Sequence, residues 1–354
     1  MTSILAFAFV LGALILVHEL GHFMVAKLFG VRVLTFSFGF GPRLIGRRWG
    51  ETEYILSLLP LGGYVRMLGE EPTEEVPKEE ERWSFALRPL RQRAAIVAAG
   101  PLSNLLFASL LFAFIFWLGV PKLLPVIGEV MEDFPAAQAG LKPGDRVLEI
   151  EGRHVRYWET LLEVIPRSQG RELHLLIERG GRRFELKIRP KAVKRKNIFG
   201  EEVEVYQIGV VPSGQVGIER HRPLEAFLKG LRQTYWVSKL VVLSVVKIIR
   251  GVISARTIGG PIMIAQMAGQ EAEKGLLRLL FFTALLSVNL GLLNLFPIPI
   301  LDGGHLLLMG LEGVLRRPLD TRKLEVVQKV GLIIIVSLMV LAFYNDITRI
   351  WRPK

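Results

Sequence analysis

Four stretches of this sequence, 1–17, 94–120, 279–301 and 330–344, contain no Asp, Glu, Lys or Arg. About 20 apolar residues in a row are enough to cross a bilayer as a helix. The first three stretches meet that length, the first running on to Ala26 with only His18, Glu19 and His22 as polar interruptions. The fourth is shorter, but Lys329 can snorkel and Val326, Val327 and Trp351 extend its apolar surface. With 51% hydrophobic residues in 354, the remainder cannot be packed as ordinary soluble cores. The chain reads as a polytopic α-helical membrane protein with four transmembrane helices.

The first stretch lacks the positive leading region and small-residue cleavage pattern of a signal peptide, and Lys27 and Arg32 follow it, so it is expected to be retained with its N-terminus outside. Arg43, Arg47, Arg48, Arg66, Arg88, Arg91 and Arg93 precede the second span, and Arg316, Arg317, Arg322 and Lys323 precede the fourth. Both loops are expected on the cytoplasmic side. The expected organisation is span one at 1–26, a cytoplasmic loop at 27–93 and span two at 94–120. An extracytoplasmic domain at 121–215 and an amphipathic interfacial helix with a linker at 216–278 come next. Span three at 279–310, a cytoplasmic loop at 311–328 and span four with the C-terminus at 329–354 complete it. The formal charge of +12 suits contact with anionic lipid headgroups. No aromatic-interleaved basic stripe or DNA-binding motif supports a nucleic-acid partner.

The chain has no cysteine, which excludes a disulfide scaffold, a cysteine nucleophile and thiolate metal ligands. The chemistry must come from other groups. His18-Glu19-Leu20-Gly21-His22 places two imidazoles on one face of a helix, where both can reach one zinc ion with Glu19 beside them as general base. Polar groups inside an apolar helix are costly and usually face a functional interior. A cluster that only packs helices together is the competing explanation.

A hydrolytic zinc site needs a third protein ligand. Glu19 and Asp302 are the carboxylates of spans one and three, which are expected to run in the same direction. His18 then lies about 26 Å from the outer end, at the same depth as Asp302. Pro297 and Pro299 cannot continue a regular helix, and broken backbone at membrane depth is tolerated when it is buried or lines a cavity. Asp302 is thus the candidate third ligand, with helix capping as the alternative. His305 is expected behind the ligands. Asn294 is a candidate for holding substrate backbone or an oxyanion, or for packing helices. Gly100 offers close helix approach and Asn104 an amide, which packing alone could also explain.

His18-Glu19-x-x-His22, Gly100-Pro-x-x-Asn104 and Asn294-x-x-Pro297-x-Pro299-x-Leu301-Asp302-Gly303, in that order, resemble the site-2 protease family of intramembrane zinc metalloproteases. The resemblance covers nearly the whole chain. It is closest to the bacterial regulator of sigma-E protease branch, which also carries Gly39-Phe-Gly-Pro42, Leu61-Gly62-Gly63-Tyr64-Val65 and Leu301-Asp302-Gly303-Gly304-His305. It implies Zn2+ as cofactor and cleavage of single-span membrane proteins inside the bilayer, anti-sigma factors or signal-peptide remnants among them. It further implies a second cut after an upstream site-1-type protease, and residence in a bacterial inner membrane. N-terminus, C-terminus and PDZ domain would be extracytoplasmic, with the active site near the cytoplasmic side. There is room for one PDZ domain where some members have two.

Segments 31–38, 53–58 and 64–68 are rich in strand formers and punctuated by glycine, so a membrane-associated β-hairpin is expected to dip toward the metal. Gly62, Gly63 and Tyr64 would then meet substrate, which could add as a strand. A peripheral cytoplasmic sheet is the other reading. The acidic run Glu70, Glu71, Glu74, Glu75, Glu79, Glu80 and Glu81 reads as a solvated loop.

Beyond span two, strands at 126–130, 146–150, 173–178 and 183–188 and a helix at 158–166 outline one α+β domain, and Ala139-Gly140-Leu-Lys-Pro-Gly-Asp145 resembles a bacterial protease PDZ. In that form 206–210 would close the sheet, and Ile208 and Gly209 would bind peptide C-termini. The domain could equally act as a filter. Lys191, Lys194, Arg195 and Lys196 read as an exposed loop, and 224–249 as an interfacial helix. The competing function is a membrane-anchored PDZ adaptor or pseudoprotease, against which the intact Glu19 argues. A third reading, cleavage in soluble tails, conflicts with a motif that continues an uncharged helix.

Overall fold

The computed structural model describes residues 2–70, 76–316 and 321–351. The chain divides into two compact units, one formed by 1–115, 223–246 and 254–354, the other by 116–222 and 247–253. Among the described residues, four helices are long and apolar enough to cross a membrane, namely Thr2–Leu28, Leu90–Leu118, Leu276–Leu295 and Val326–Trp351. The protein is a multi-pass membrane protein.

The first unit begins with α1 (Thr2–Leu28), followed by β1 (Val33–Trp49), β2 (Thr52–Met67) and α2 (Leu90–Leu118). Strands β1 and β2 are folded on themselves, because Gly39 and Gly41 adopt φ of +95° and +87°. The result is a sheet of four limbs in the order 63–67, 33–38, 53–57, 43–49. The segment 63–67 forms one outer limb of this sheet, its strand pairing being with 33–38. Ala26, Val31, Val33, Phe36, Val65, Met67 and Ile96 bury one face of this sheet against α1 and α2. Part of the acidic run, Glu71, Glu74 and Glu75, lies outside the described residues, while Glu80 pairs with Arg32 at 2.6 Å.

The second unit is the expected α+β domain. It contains β3 (Val120–Leu123), β4 (Ile127–Val130), α3 (Pro135–Gln138), β5 (Arg146–Ile150), β6 (Arg153–His154), α4 (Glu159–Arg167), β7 (Leu173–Arg179) and β8 (Arg182–Ile188). It continues with β9 (Lys191–Lys196), β10 (Glu202–Gln207), β11 (Val210–Pro212) and β12 (Val216–Glu219). Strands β6-β5-β7-β8 form the main sheet, and β4 pairs with β11, β3 with β12, and β9 with β10. Ile127, Val147, Ile150, Leu161, Leu175, Ile177 and Ile188 fill the core. Asp145 of the Pro-Gly-Asp run is fully buried. It accepts from Arg179 at 2.6 Å and from the Lys142 N–H at 2.8 Å, which gives that carboxylate a structural task.

One expectation changes here. The basic segment 191–196 is strand β9 rather than a loop, because β10 pairs with it along its length. Within 206–210, β10 ends at Gln207, Gly209 turns with φ +80°, and Val210 starts the strand that pairs with β4. The tip of the β9–β10 hairpin is ordered by Asn197, whose Oδ1 accepts the N–H groups of Phe199 and Glu201. Glu201 then pairs with Lys247, whose ammonium lies 4.4 Å from the Phe199 ring centroid. Lys247, and after it Asn197, hold the Glu201 carboxyl below the usual carboxylate range.

The chain returns to the first unit through α5 (Pro223–Ile249), which covers the expected interfacial segment, then α6 (Pro261–Glu273), α7 (Leu276–Leu295), α8 (Asp302–Leu315) and α9 (Thr321–Trp351). The expected loop at 311–328 is mostly helical, with 317–320, and so Arg317, outside the described residues. Helices close on one another through small residues, as membrane helices do. A side chain at Gly21 of α1 would meet Ala99 O of α2 at 2.5 Å, and one at Gly291 of α7 would meet Pro101 O of α2 at 2.8 Å.

At the far end of α9, Asp346 is 2% exposed and accepts the N–H groups of Gly260, Ile262 and Met263, capping the start of α6. Removing that carboxylate strands one buried and two partly buried donors. Asp346→Ala is expected to cost about 2 kcal/mol. The loss should appear as a lower thermal midpoint of the detergent-solubilised protein, with Asp346→Asn, which keeps one acceptor, in between.

Candidate metal centre

His18 and His22 stand one turn apart on α1, and Asp302 is the first residue of α8. Between α7 and α8 the chain breaks at Pro297 and Pro299, and Ile300 takes φ +87°. For a β-branched residue that conformation costs on the order of 1–3 kcal/mol and is tolerated where the surroundings dictate it. They do so here. A side chain at Gly303 would meet Leu295 O at 2.3 Å, one at Gly304 would meet Ile298 O at 2.3 Å, and one at Gly331 of α9 would meet Pro299 O at 2.2 Å. Backbone therefore presses on the loop from both sides and fixes the point where Asp302 enters the site.

Three donor atoms converge. Nε2 of His18 lies 3.2 Å from Nε2 of His22. Oδ2 of Asp302 lies 3.1 Å from the first and 3.6 Å from the second. In a tetrahedral zinc site with ligands at about 2.0–2.1 Å, neighbouring donors are about 3.3 Å apart. The two imidazole rings meet edge to face at 83°. Oδ2 of Asp302 is buried and accepts no hydrogen bond from the protein. Such an arrangement places three lone-pair donors around one point and suits a divalent cation.

The groups behind these three donors favour the imidazole tautomers that a bound cation would need. Nδ1 of His22 donates to Ile96 O at 2.9 Å, which leaves its Nε2 lone pair facing the triad. Asn104, fully buried on α2, has its amide 3.2 Å from Nδ1 of His18. Its Oδ1 is a buried acceptor without a partner, and turning the amide end for end lets it accept the Nδ1–H of His18. Ser287 of α7 donates to Asn104 O at 2.7 Å and ties a third helix to this layer.

A cavity of about 310 Å³ opens beside the triad, lined by Glu19, Tyr64, Val65, Met67, Glu70, Phe85, Val97, Ile300, His305 and Met309 as well as the triad itself. Glu19 sits between the histidines in sequence and faces the sheet edge. A side chain at Gly63 would lie 3.2 Å from its Cγ, and the Val65 backbone N–H is within hydrogen-bonding reach of its carboxylate. Gly62 is covered by the Phe40 ring, which stacks on Tyr64 at 6.2 Å. Asn294, near the end of α7, is not among the residues lining this cavity. The amide that reaches a histidine is Asn104, foreshadowed in the sequence by Gly100-Pro-x-x-Asn104 alone. In the second unit, Ile208 and Gly209 line a separate cavity of about 670 Å³ with Trp158, Leu161, Leu162 and Ile165 of α4.

Residues 6–338 match peptidase family M50. Cj1068 of Campylobacter jejuni, to which zinc metalloprotease activity is ascribed, is 39% identical over 346 residues, covering 98% of this chain and 93% of that protein. The regulator of sigma E protease of Salmonella typhimurium is 33% identical over 447 aligned positions, covering 98% of this chain and 99% of the relative. The PDZ domain of the SdrC-like protein of Listeria monocytogenes is similar at a TM-score of 0.21 and 22% identity, over 25% of this chain and 84% of that one.

Proposed function

Since the chain belongs to peptidase family M50, a family of zinc metalloproteases, we propose that it cuts single-span membrane proteins within their transmembrane segments. One observation carries the intramembrane reading: the two histidines and Glu19 belong to a 27-residue helix that is apolar enough to cross a bilayer. In this reading His18, His22 and Asp302 hold the zinc. The ion supplies Lewis-acid polarisation of the scissile carbonyl and acidifies a water molecule.

Glu19 takes the proton of the attacking water and returns it to the leaving amine. The outer limb of the sheet at 63–67 is where an unwound substrate can add as a strand, with Gly63 beside Glu19 and Tyr64 next to it in sequence. Helical substrates hide their carbonyls, so an edge that trades intrahelical for interstrand hydrogen bonds makes the scissile bond accessible. The basic loops point to a cytoplasmic placement of the sheet and an extracytoplasmic placement of the α+β unit. That unit is read as a PDZ domain whose 670 Å³ cavity receives a peptide C-terminus or whose bulk screens substrates. Substrates trimmed by an upstream protease, anti-sigma factors and signal-peptide remnants are the classes this arrangement fits.

The test uses detergent-purified protein and a model single-span substrate, with zinc content and the position of the cut both measured. Zinc near one per chain and a cut mapped by mass spectrometry inside the apolar segment are the expected results. A cut confined to the soluble tails would refute the intramembrane assignment. Asp302→Asn is expected to lower zinc affinity by about 10-fold or more, since one anionic ligand is lost; unchanged zinc content would remove Asp302 from the ligand set.

A further inference from the structure

Peptide hydrolysis develops negative charge on the scissile carbonyl oxygen, and a single well-aimed donor is worth about 10²–10³ in rate. This reasoning rests on the endopeptidase reading above. Among the side chains lining the triad cavity, the carboxylates can only accept when ionised, and the outer nitrogens of His18 and His22 are engaged by Asn104 and Ile96. Two side-chain donors remain, the Tyr64 hydroxyl and the His305 imidazole. Tyr64 is 40% exposed on the sheet edge proposed to receive the substrate backbone.

His305 is placed differently. It lies three residues after Asp302 on the first turn of α8, so the two side chains leave the same face of that helix. The glycines between them are wedged against the backbone of 295–299, so that turn cannot shift one residue without the other. Among the described residues, the group close enough to share one metal comprises His18, His22 and Asp302, which leaves His305 outside the ligand set. Its imidazole also borders an adjoining cavity of about 440 Å³ with Gln328 and Lys329, so the ring lies between two spaces rather than within packed apolar side chains.

We infer that His305 is a further catalytic residue, whose ring N–H donates to the carbonyl oxygen of the scissile peptide as charge develops there. The neutral imidazole suffices, and no proton need leave it.

The experiment compares wild type, Glu19→Gln, His305→Ala, His305→Gln and Tyr64→Phe as full-length proteins in detergent. Cleavage of a single-span substrate, zinc content and affinity for a phosphinic peptide, which mimics the tetrahedral oxygen pair, are measured together. Wild-type cleavage that maps inside the apolar segment and disappears in Glu19→Gln establishes the parent reading on its own. His305→Ala is then expected to lower kcat by about 10²–10³-fold with little change in KM. Zinc content should stay near that of wild type, phosphinate affinity should fall by a comparable factor, and His305→Gln should recover part of both. Cleavage by His305→Ala within threefold of wild type, loss of its zinc, unchanged phosphinate affinity, or a larger loss in Tyr64→Phe would each overturn the assignment. A wild type that binds zinc and cleaves no substrate would overturn it together with the parent reading.

Discussion

Glu19→Gln protein is expected to carry the same zinc as wild type and to lose cleavage by about 10³-fold or more, within the range that a positioned general base supplies. The side chain is nearly isosteric. It can still receive the Val65 N–H and still fits against Gly63, where there is little spare room. What changes is the ability to accept a proton from water. Zinc by atomic spectroscopy and substrate cleavage on gels measure the two halves separately. Retained cleavage would remove Glu19 from the mechanism, whereas zinc lost along with activity would make Glu19 a structural support for the triad.

Gly100→Ala should have an effect of similar size by a different route. The added methyl would stand 2.2 Å from Nε2 and 2.6 Å from Cε1 of His22, both well inside ordinary contact. The imidazole has little freedom to yield, because its Nδ1 is bound to Ile96 O at 2.9 Å. Making room by separating α1 from α2 would give up the close backbone contact they make at Gly21. The expected outcome is loss of both zinc and cleavage in a protein that still purifies as folded. Gly310→Ala in α8, whose new methyl would meet nothing within 4 Å, is the matched control. It should keep both properties and gain a few tenths of a kcal/mol to about 1 kcal/mol from helix propensity. Full zinc binding in Gly100→Ala would mean that His22 is not held as described.

The four spans were legible because length and apolarity alone decide them, and the His18–His22 pair because i and i+4 share a helix face. The partner across the centre was legible through its place just after the Pro297–Pro299 break, at the depth expected for His18. Less could be read where a role depends on which neighbour lies opposite. Asn294 and Asn104 are both amides in apolar helices, and only the packing of α1 on α2 distinguishes the one that reaches His18. The segment 191–196 looked like loop because its charges neither alternate nor cluster on one side. Its strand character comes from β10, which supplies the pairing partner. Ile300 carries no sign of its positive φ in its own identity; the strain is imposed by backbone packed around the prolines.

The strap between Glu201, Phe199 and Lys247 bears on how this protein can be divided and recombined. The second unit is discontinuous in sequence, for residues 247–253 belong to it although a stretch of the first unit intervenes. A piece excised as one run, 116–222, would keep every strand and lose the cation that the hairpin tip is built to hold. Grafting that run into another chain, or transplanting a relative's in its place, exchanges one half of a matched pair. Recombination that respects the protein's modularity must carry the last turn of α5 along with the strands.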